Sequence, residues 1–381
     1  MWIGLPVGLA LLVGVPYLAY VLGYWLVGAE ESPASKTFET PPVSVVVPTY
    51  NESGLIRSKL AELRDLEYPT ARTELLVVDA STDDTPERVR EFASEHDDLE
   101  IRLLEEPERR GVASAVNRAV EAASHDIIVR TDCDSTLAAD AVTHAVANLQ
   151  DSSVGGVTGR QTEVLGESKV EESYRDLQAR NQALESHLDS TFIVHGPCFV
   201  FDREYFEPIE PDSLADDTEI AVRIRKQGKR ILMDPEMRFA EAGTSDVRGR
   251  RRRKDRRAMG LLQLLIRQRD LLGRYGRYGR VVVPFNWWFL LFSPWLTLSV
   301  LLLAFGLGMA EYGSLALAIP AGLVAFVAVG QRDLLGPAQP LYAVFDSHLS
   351  LLVATIRLLV RDSDGTWEVD ADSRERFEEG S

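Results

Sequence analysis

Apolar positions along the chain follow three regimes. The first is an uncharged apolar run from Ile3 to Val27, broken only by glycines and by Pro6 and Pro16 and long enough to cross a bilayer. In the second, from Val43 onward, short β-branched runs alternate with segments of helical spacing. Val43–Pro48, Glu74–Asp79, Ile101–Leu104 and Asp126–Val129 read as buried strands. Leu55–Leu66, a helix opening at Thr85-Pro86 and running through Phe92, and Gly111–Ala123 read as helices, with Thr85 as N-cap and Pro86 at the first helical position. Strands alternating with helices in this way predict an α/β fold with a doubly wound, mainly parallel sheet. Asp140–Leu149 then has helical spacing, Val154–Thr162 reads as a strand and turn, Val170–Leu188 as a polar helix with a solvated face, and Phe192–Phe201 as a strand. Ile220, Ala221 and Ile224 give an apolar face to a helix beginning near Asp216. The third regime is apolar again. Val281–Met309, with Trp287, Trp288 and Trp295 near one end, and a segment of about Leu315–Val329 read as membrane helices. Phe345–Val360 is interrupted by Asp346, His348 and Arg357 and reads as an amphipathic interfacial helix.

These regimes divide the chain into an anchor (1–29), a linker holding Pro33, Pro41 and Pro42 (30–42), an α/β domain (43–260), a basic juxtamembrane segment (261–280), a membrane hairpin (281–332), the interfacial helix (333–361) and an acidic, mobile tail (362–381). No basic stretch precedes the first apolar run, which is longer than the core of a signal peptide, so a retained anchor is expected.

Charge changes the picture of partners. The chain of 381 residues has a formal net charge of −17, and only six of its basic residues are lysine. An acidic, lysine-poor surface suits a salt-adapted, halophilic setting and argues against a nucleic-acid binder. The two cysteines, Cys133 and Cys198, have no metal-ligand spacing and read as small buried hydrophobes in a reducing compartment.

The candidate chemistry centres on Ile127-Ile128-Val129-Arg130-Thr131-Asp132-Cys133-Asp134-Ser135, where a buried strand runs directly into two carboxylates. In open α/β sheets ligands bind at that strand edge. Asp132 and Asp134 admit two readings: a polar turn with a capping aspartate, or a hard oxygen site for Mg²⁺ or Mn²⁺ completed by substrate phosphates. Asp216 and Asp217, at a helix start, are stabilised there as anions whether or not they do chemistry. Arg248–Arg257 is the most basic stretch, a composition common to solvated and to nucleic-acid-binding faces.

Three segments together carry a family resemblance. Val45-Val46-Val47-Pro48-Thr49-Tyr50-Asn51-Glu52, then Val77-Val78-Asp79-Ala80-Ser81-Thr82-Asp83-Asp84-Thr85, then Asp132-Cys133-Asp134 resemble family 2 glycosyltransferases in order and spacing. The resemblance covers roughly 43–260 and implies the GT-A nucleotide-sugar-binding fold, flanked here by N- and C-terminal transmembrane helices. It implies that Pro48, Tyr50, Glu52 and Asp79 hold the uridine or guanosine part of a nucleotide-diphosphate sugar. It places Asp132 toward the ribose and metal, and Asp134 on a divalent cation, Mg²⁺ or Mn²⁺. Gly111 and Asn117 match the family's helix after the third strand, with Arg110 where a lysine is usual. Asp216-Asp217 matches a Glu-Asp motif whose second acid, Asp217, removes the acceptor proton. Phe192–Phe201 is similar to the glycine-bearing strand near the sugars, where His195 either touches a ligand or is structural.

Processive members carry Gln-x-x-Arg-Trp where this chain has Arg253-Lys254-Asp255-Arg256-Arg257. Arg256 keeps the arginine, while Arg253 and Arg257 replace the glutamine and tryptophan. Arg253 and Arg256 are suited to the leaving diphosphate, and the basic patch also suits anionic lipid. The expected activity is inverting sugar transfer to a saccharide or lipid-linked acceptor in envelope polysaccharide or glycoconjugate synthesis. Single-sugar transfer to polyprenyl phosphate is the alternative within that class, and a non-catalytic membrane scaffold of the same fold is the alternative outside it. Placing the Arg248–Arg280 region inside, as positive-inside asymmetry prefers, puts the catalytic domain in the cytoplasm of a multi-pass protein of the cell membrane.

Overall fold

A computed structural model describes residues 4–164, 169–241, 247–332 and 334–360. The expected acidic tail, 362–381, lies outside the described residues. One mixed sheet of eight strands organises the domain. Its parallel part is β3 (Glu100–Glu105), β2 (Thr73–Asp79), β1 (Val43–Thr49) and β4 (Ile127–Arg130), adjacent in that order. The sheet continues from β4 through antiparallel β7 (Phe199–Asp202) to β6 (Val154–Val164), β8 (Arg230–Glu241) and the short β5 (Ser135–Leu137).

The valine runs form strands because both of their faces are buried, which favours near-continuous β-branched sequence over alternation. Val45, Val47, Leu75 and Val77 pack against α2 (Ile56–Arg64), α3 (Thr85–Glu95) and α5 (Ala141–Leu149) on one side. Val46, Leu76, Val78 and Ile128 pack against α4 (Val112–Ala122) and α7 (Asp216–Lys226) on the other. Full burial of each such side chain contributes about 1.5–3 kcal/mol, so these two layers fix the strand ends that carry the polar loops.

Several elements differ from the sequence expectation. Residues 192–201 are not one strand: Gly196–Cys198 is a 3₁₀ turn and only Phe199–Asp202 pairs in the sheet. Pro197 cannot supply a ladder N–H, and the Gly196 N–H bonds to Asp217 at 2.8 Å instead. The polar helix α6 (Lys169–Leu188) is more than a solvated face, since Gln182, Ala183, Leu184, Glu185 and Ser186 are buried. β8 is hard to read in sequence because Asp234-Pro235-Glu236 interrupts its apolar alternation. The linker lies along the domain, with Lys36 2.8 Å from Asp234 and the Thr37 N–H on the Ala147 carbonyl.

Three helical segments are long and apolar enough to cross a membrane: Leu5–Val27, Tyr278–Gly330 and Gly336–Leu359. The first forms most of α1 (Gly4–Val27). The second contains α9 (Val283–Trp287), two π-turns, α10 (Ser293–Tyr312) and α11 (Ala318–Gly330), bent by a 3₁₀ turn at Gly313–Leu317. The third is α12 (Gln339–Val360), which begins earlier than the expected interfacial helix and so reaches spanning length. Leu5, Leu11, Leu18, Leu302 and Leu315 are exposed, an apolar surface suited to lipid contact. Two polar residues of α12 face the rest of the protein, while Arg357 is exposed: half-buried Asp346 pairs with Lys254 at 2.9 Å, and buried His348 lies 3.0 Å from Ser293 and 3.2 Å from Thr297.

Candidate active site

The C-terminal edge of the parallel strands carries two adjoining constructions. The first follows β1 and β2, where the loop after β1 is tied to the loop after β2. Asn51 adopts a positive φ of 55°, a region asparagine tolerates, and its side-chain oxygen accepts the Thr82 N–H at 2.8 Å. The Asn51 N–H donates to Ser81 Oγ at 2.6 Å, the Glu52 N–H to Thr85 Oγ1 at 2.9 Å, and the Ser53 N–H to Asp83 at 3.3 Å. Asp79 is buried and accepts from the Thr49 and Ser81 hydroxyls, each at 2.6 Å. Tyr50 presents its ring to the Arg109 guanidinium, 4.1 Å from the centroid. Pro48, Tyr50, Glu52 and Asp79 therefore share one rigid platform on β1 and β2.

The second construction follows β4 and is assembled from remote segments. Arg130, the last residue of β4, is almost wholly buried, and its guanidinium lies 2.8 Å from Asp216, 3.6 Å from Asp132 and 3.9 Å from Asp217. A buried arginine needs such partners, because an unpaired charge in the interior is costly. Asp216 and Asp217 open α7, and Asp217 is oriented by the Gly196 N–H. A Cβ at Gly196 would overlap the Arg130 guanidinium, so glycine is required for the close approach. Across the site, helix α8 (Val247–Arg267) brings Arg253 to 4.0 Å from Asp134 and 3.9 Å from Glu241. Arg257 reaches Glu241, the last residue of β8, at 2.9 Å.

The electrostatics follow from this crowding. Withdrawal from water raises Asp132 to about 6, with Arg130 opposing and Asp134, Asp216 and Glu241 reinforcing the shift. Burial raises Asp216 above the usual carboxylate range even with Arg130 beside it. Burial also works to raise Glu241, but Arg257 and Arg253 outweigh it and hold that carboxyl low. Burial and the neighbouring Arg257 and Arg253 lower Arg256. Burial lowers His195 to about 4, so the ring is neutral, and its Nε2 lies 3.2 Å from the Gln182 amide.

Asp132, Asp216, Asp217, Arg253 and Arg256 line one cavity of about 290 Å³, together with Arg130, His195, Glu241 and Arg257. Pro48, Tyr50, Glu52 and Asp79 are outside its lining, on the neighbouring platform. His195 thus has a structural bond and also faces the cavity. The Asp-x-Asp carboxylates fit a divalent cation: they are hard oxygen donors with part of their side chains exposed, and several further carboxylates lie around Asp132. His144, Asp234 and Glu236 also converge, but the Lys36 ammonium already pairs with both of those acids.

Arg130 and Glu241 are the residues that sequence reasoning left without a role. Arg130 could have been found, because a charge closing a run of Ile and Val must meet opposite charge. Glu241 carries no comparable signal, since its partner Arg257 is recognised only once β8 and α8 meet.

The chain matches the pattern described as Glycosyl transferase family 2 over residues 44–209 and that described as Glycosyl transferase family group 2 over residues 127–329. It is 28% identical over 214 residues to the probable glycosyltransferase YdaM of Bacillus subtilis, covering 52% of this chain and 50% of that protein. It is 26% identical over 219 residues to an N-acetylglucosaminyltransferase of Rhizobium meliloti, covering 53% and 51%. The chain spans about half the length of these curated relatives. Among solved structures it resembles the mannosyltransferase PcManGT from Pyrobaculum calidifontis, in complex with GDP-Man and Mn²⁺, with a TM-score of 0.78 and 28% identity over 95% of this chain and 100% of that one. The eight-stranded GT-A-like sheet, the strand-end acids and these matches agree: the chain belongs to the family 2 glycosyltransferases.

Proposed function

We propose that this protein is a membrane-anchored, metal-dependent, inverting glycosyltransferase that moves a sugar from a nucleoside diphosphate donor to an acceptor hydroxyl. The observation that carries the reading is the convergence, in one cavity, of Asp132 beside the Asp-x-Asp turn, Asp217 at a helix start and the Arg253–Arg256 cations. The platform of Pro48, Tyr50, Glu52 and Asp79 takes the nucleoside, with the Tyr50 ring as a stacking face. Asp134, with Asp132, would hold Mg²⁺ or Mn²⁺, which when bound supplies positive charge to the diphosphate. Asp217, positioned by the Gly196 N–H, accepts the acceptor proton. The acceptor oxygen forms a bond to the anomeric carbon as the bond from that carbon to the phosphate oxygen breaks. The electron pair leaves with the nucleoside diphosphate, and attack from the opposite face inverts the anomeric centre. Arg253 and Arg256, crowded with like charge, are relieved by that anion. Asp216 neutralises Arg130 and keeps it beside the base.

The likeness to PcManGT makes GDP-mannose with Mn²⁺ the donor to test first. Arginine-rich α8 and the basic residues up to Arg277 precede the second apolar segment, which supports a multi-pass chain with the catalytic domain on the cytoplasmic side. A thermal-shift titration of nucleotide sugars tests the donor reading, since a ligand bound only by the folded state raises its melting temperature. GDP-mannose should stabilise the protein only with Mn²⁺ or Mg²⁺, and Asp134→Asn should abolish the metal dependence. If no nucleotide sugar stabilises the wild-type chain, with or without metal, the reading fails.

A further inference from the structure

The turn that carries Asp132 and Asp134 runs directly into β5, the last strand of the sheet. β5 pairs with β8 on one side and has no strand on the other among the described residues. An outer strand presents a row of backbone N–H and C=O groups that need partners. Here α2 supplies them. Lys59 Nζ donates to the Ser135 carbonyl at 2.8 Å, and the Leu137 N–H donates to Glu62 Oε1 at 2.7 Å. The two side chains also pair with each other at 3.0 Å. Lys59 is 2% exposed, and no other lysine among the described residues is buried. A buried ammonium is costly unless it is paired and hydrogen-bonded, so this contact is part of how the turn is held.

The start of α2 meets the other construction. The Ile56 N–H donates to the Glu52 carbonyl at 2.9 Å, so the helix begins on the platform loop that holds Tyr50 and Glu52. Lys59 and Glu62 follow about one and two turns later. We propose, resting on the glycosyltransferase reading, that Lys59 and Glu62 are positioning residues that set the metal site in register with the nucleoside platform. Neither lines the cavity. Their bonds to both ends of β5 hold Asp134, the residue before it, at the spacing that a nucleoside diphosphate and its metal bridge. Strand pairing carries the same constraint to Glu241, opposite Ser135, and from there to Arg253 and Arg257. The pair therefore matters for nucleotide binding when metal takes part and is neutral when the platform binds the nucleoside alone.

The test is calorimetric titration of the full chain in phosphatidylcholine nanodiscs with GDP, and with UDP as second nucleotide, in EDTA and at graded Mn²⁺. Lys59→Met should raise the Mn²⁺ concentration for half-maximal tightening of the nucleotide by about tenfold or more, the usual size of an effect transmitted to a metal through the supports of its ligands. Affinity in EDTA should stay at the wild-type value. The double variant Lys59→Met/Glu62→Gln leaves no lone buried charge and keeps an acceptor for the Leu137 N–H. It should show the same Mn²⁺ shift, and serves if Lys59→Met does not fold. Arg64→Ala, on the same helix but paired with Asp98, should match the wild type. An unchanged Mn²⁺ requirement, even with a lowered melting temperature, would reduce the pair to packing and overturn the proposal. Equal weakening in EDTA, or the same shift in Arg64→Ala, would overturn it too. If the wild type binds neither nucleotide, or binds without any Mn²⁺ effect, the underlying reading fails instead.

Discussion

The platform after β1 and β2 and the cavity after β4 lie on the same sheet edge but are built by different means. Hydrogen bonds between two neighbouring loops organise the platform. Its partners are about 30 residues apart in sequence, and Asp79 spends its oxygens on Thr49 and Ser81. Ion pairs between distant segments organise the cavity: Arg130 with Asp216, Arg257 with Glu241, Arg253 near Asp134. A short-range, hydrogen-bonded platform suits recognition of one constant group. A charge-balanced cavity suits chemistry, because its acids and bases are held near a changed protonation state and respond when charge develops.

Substitutions can break this contrast at different depths. Asp217→Asn should lower kcat by about 10²–10⁴-fold with donor affinity retained, the range for a lost general base. Single-turnover transfer measures it, and full activity would remove Asp217 from the mechanism. Arg130→Met should cost about 3–5 kcal/mol in chemical denaturation, because removing one partner leaves Asp216 buried beside Asp217 and Asp132 without its counter-charge. A change within 1 kcal/mol of wild type would show that the cavity is not held by charge.

A third substitution probes the joint between the domain and its long apolar helices. Glu185 on α6 is buried, accepts from Asn286 at 2.7 Å and from the Phe192 N–H at 2.9 Å, and is pushed up by burial from 4.5 to about 7. The folded value exceeds the unfolded one, so the native state holds the extra proton between them. That stabilisation is complete below about 4.5 and is lost as pH rises through about 7. Glu185→Gln should remove this slope, so the variant gains on wild type with rising pH, by ~3 kcal/mol at most. Parallel melting curves from pH 4 to pH 8 would refute it.

The smallest effect is expected at the α8–α12 contact. Asp346→Asn loses the pairs with Lys254 at 2.9 Å and Arg251 at 3.3 Å. These are partly exposed, so the stability cost should stay below ~1 kcal/mol. Because α8 also carries Arg253 and Arg256, kcat should fall more than stability does, with Asp346→Glu restoring it.

Much of this was legible in the sequence. The runs of Val and Ile announced the parallel strands because both of their faces are buried, and Asp79, Asp132 and Asp134 stand where a chain leaving such a strand meets solvent. The first two apolar segments announced themselves by length, but the third, interrupted by Asp346, His348 and Arg357, did not. Other features were decided only in three dimensions. The strand expected over 192–201 yielded its first half to a turn, since the Gly196 N–H is worth more on Asp217 than in a ladder. The polar helix α6 became a buried wall because the long apolar helices cover it. Local pattern reports which faces of an element are apolar, and therefore that a sheet with a polar edge will form. Which charges then face one another across 86 residues, as Arg130 and Asp216 do, depends on where separate helices pack, and no local periodicity encodes that.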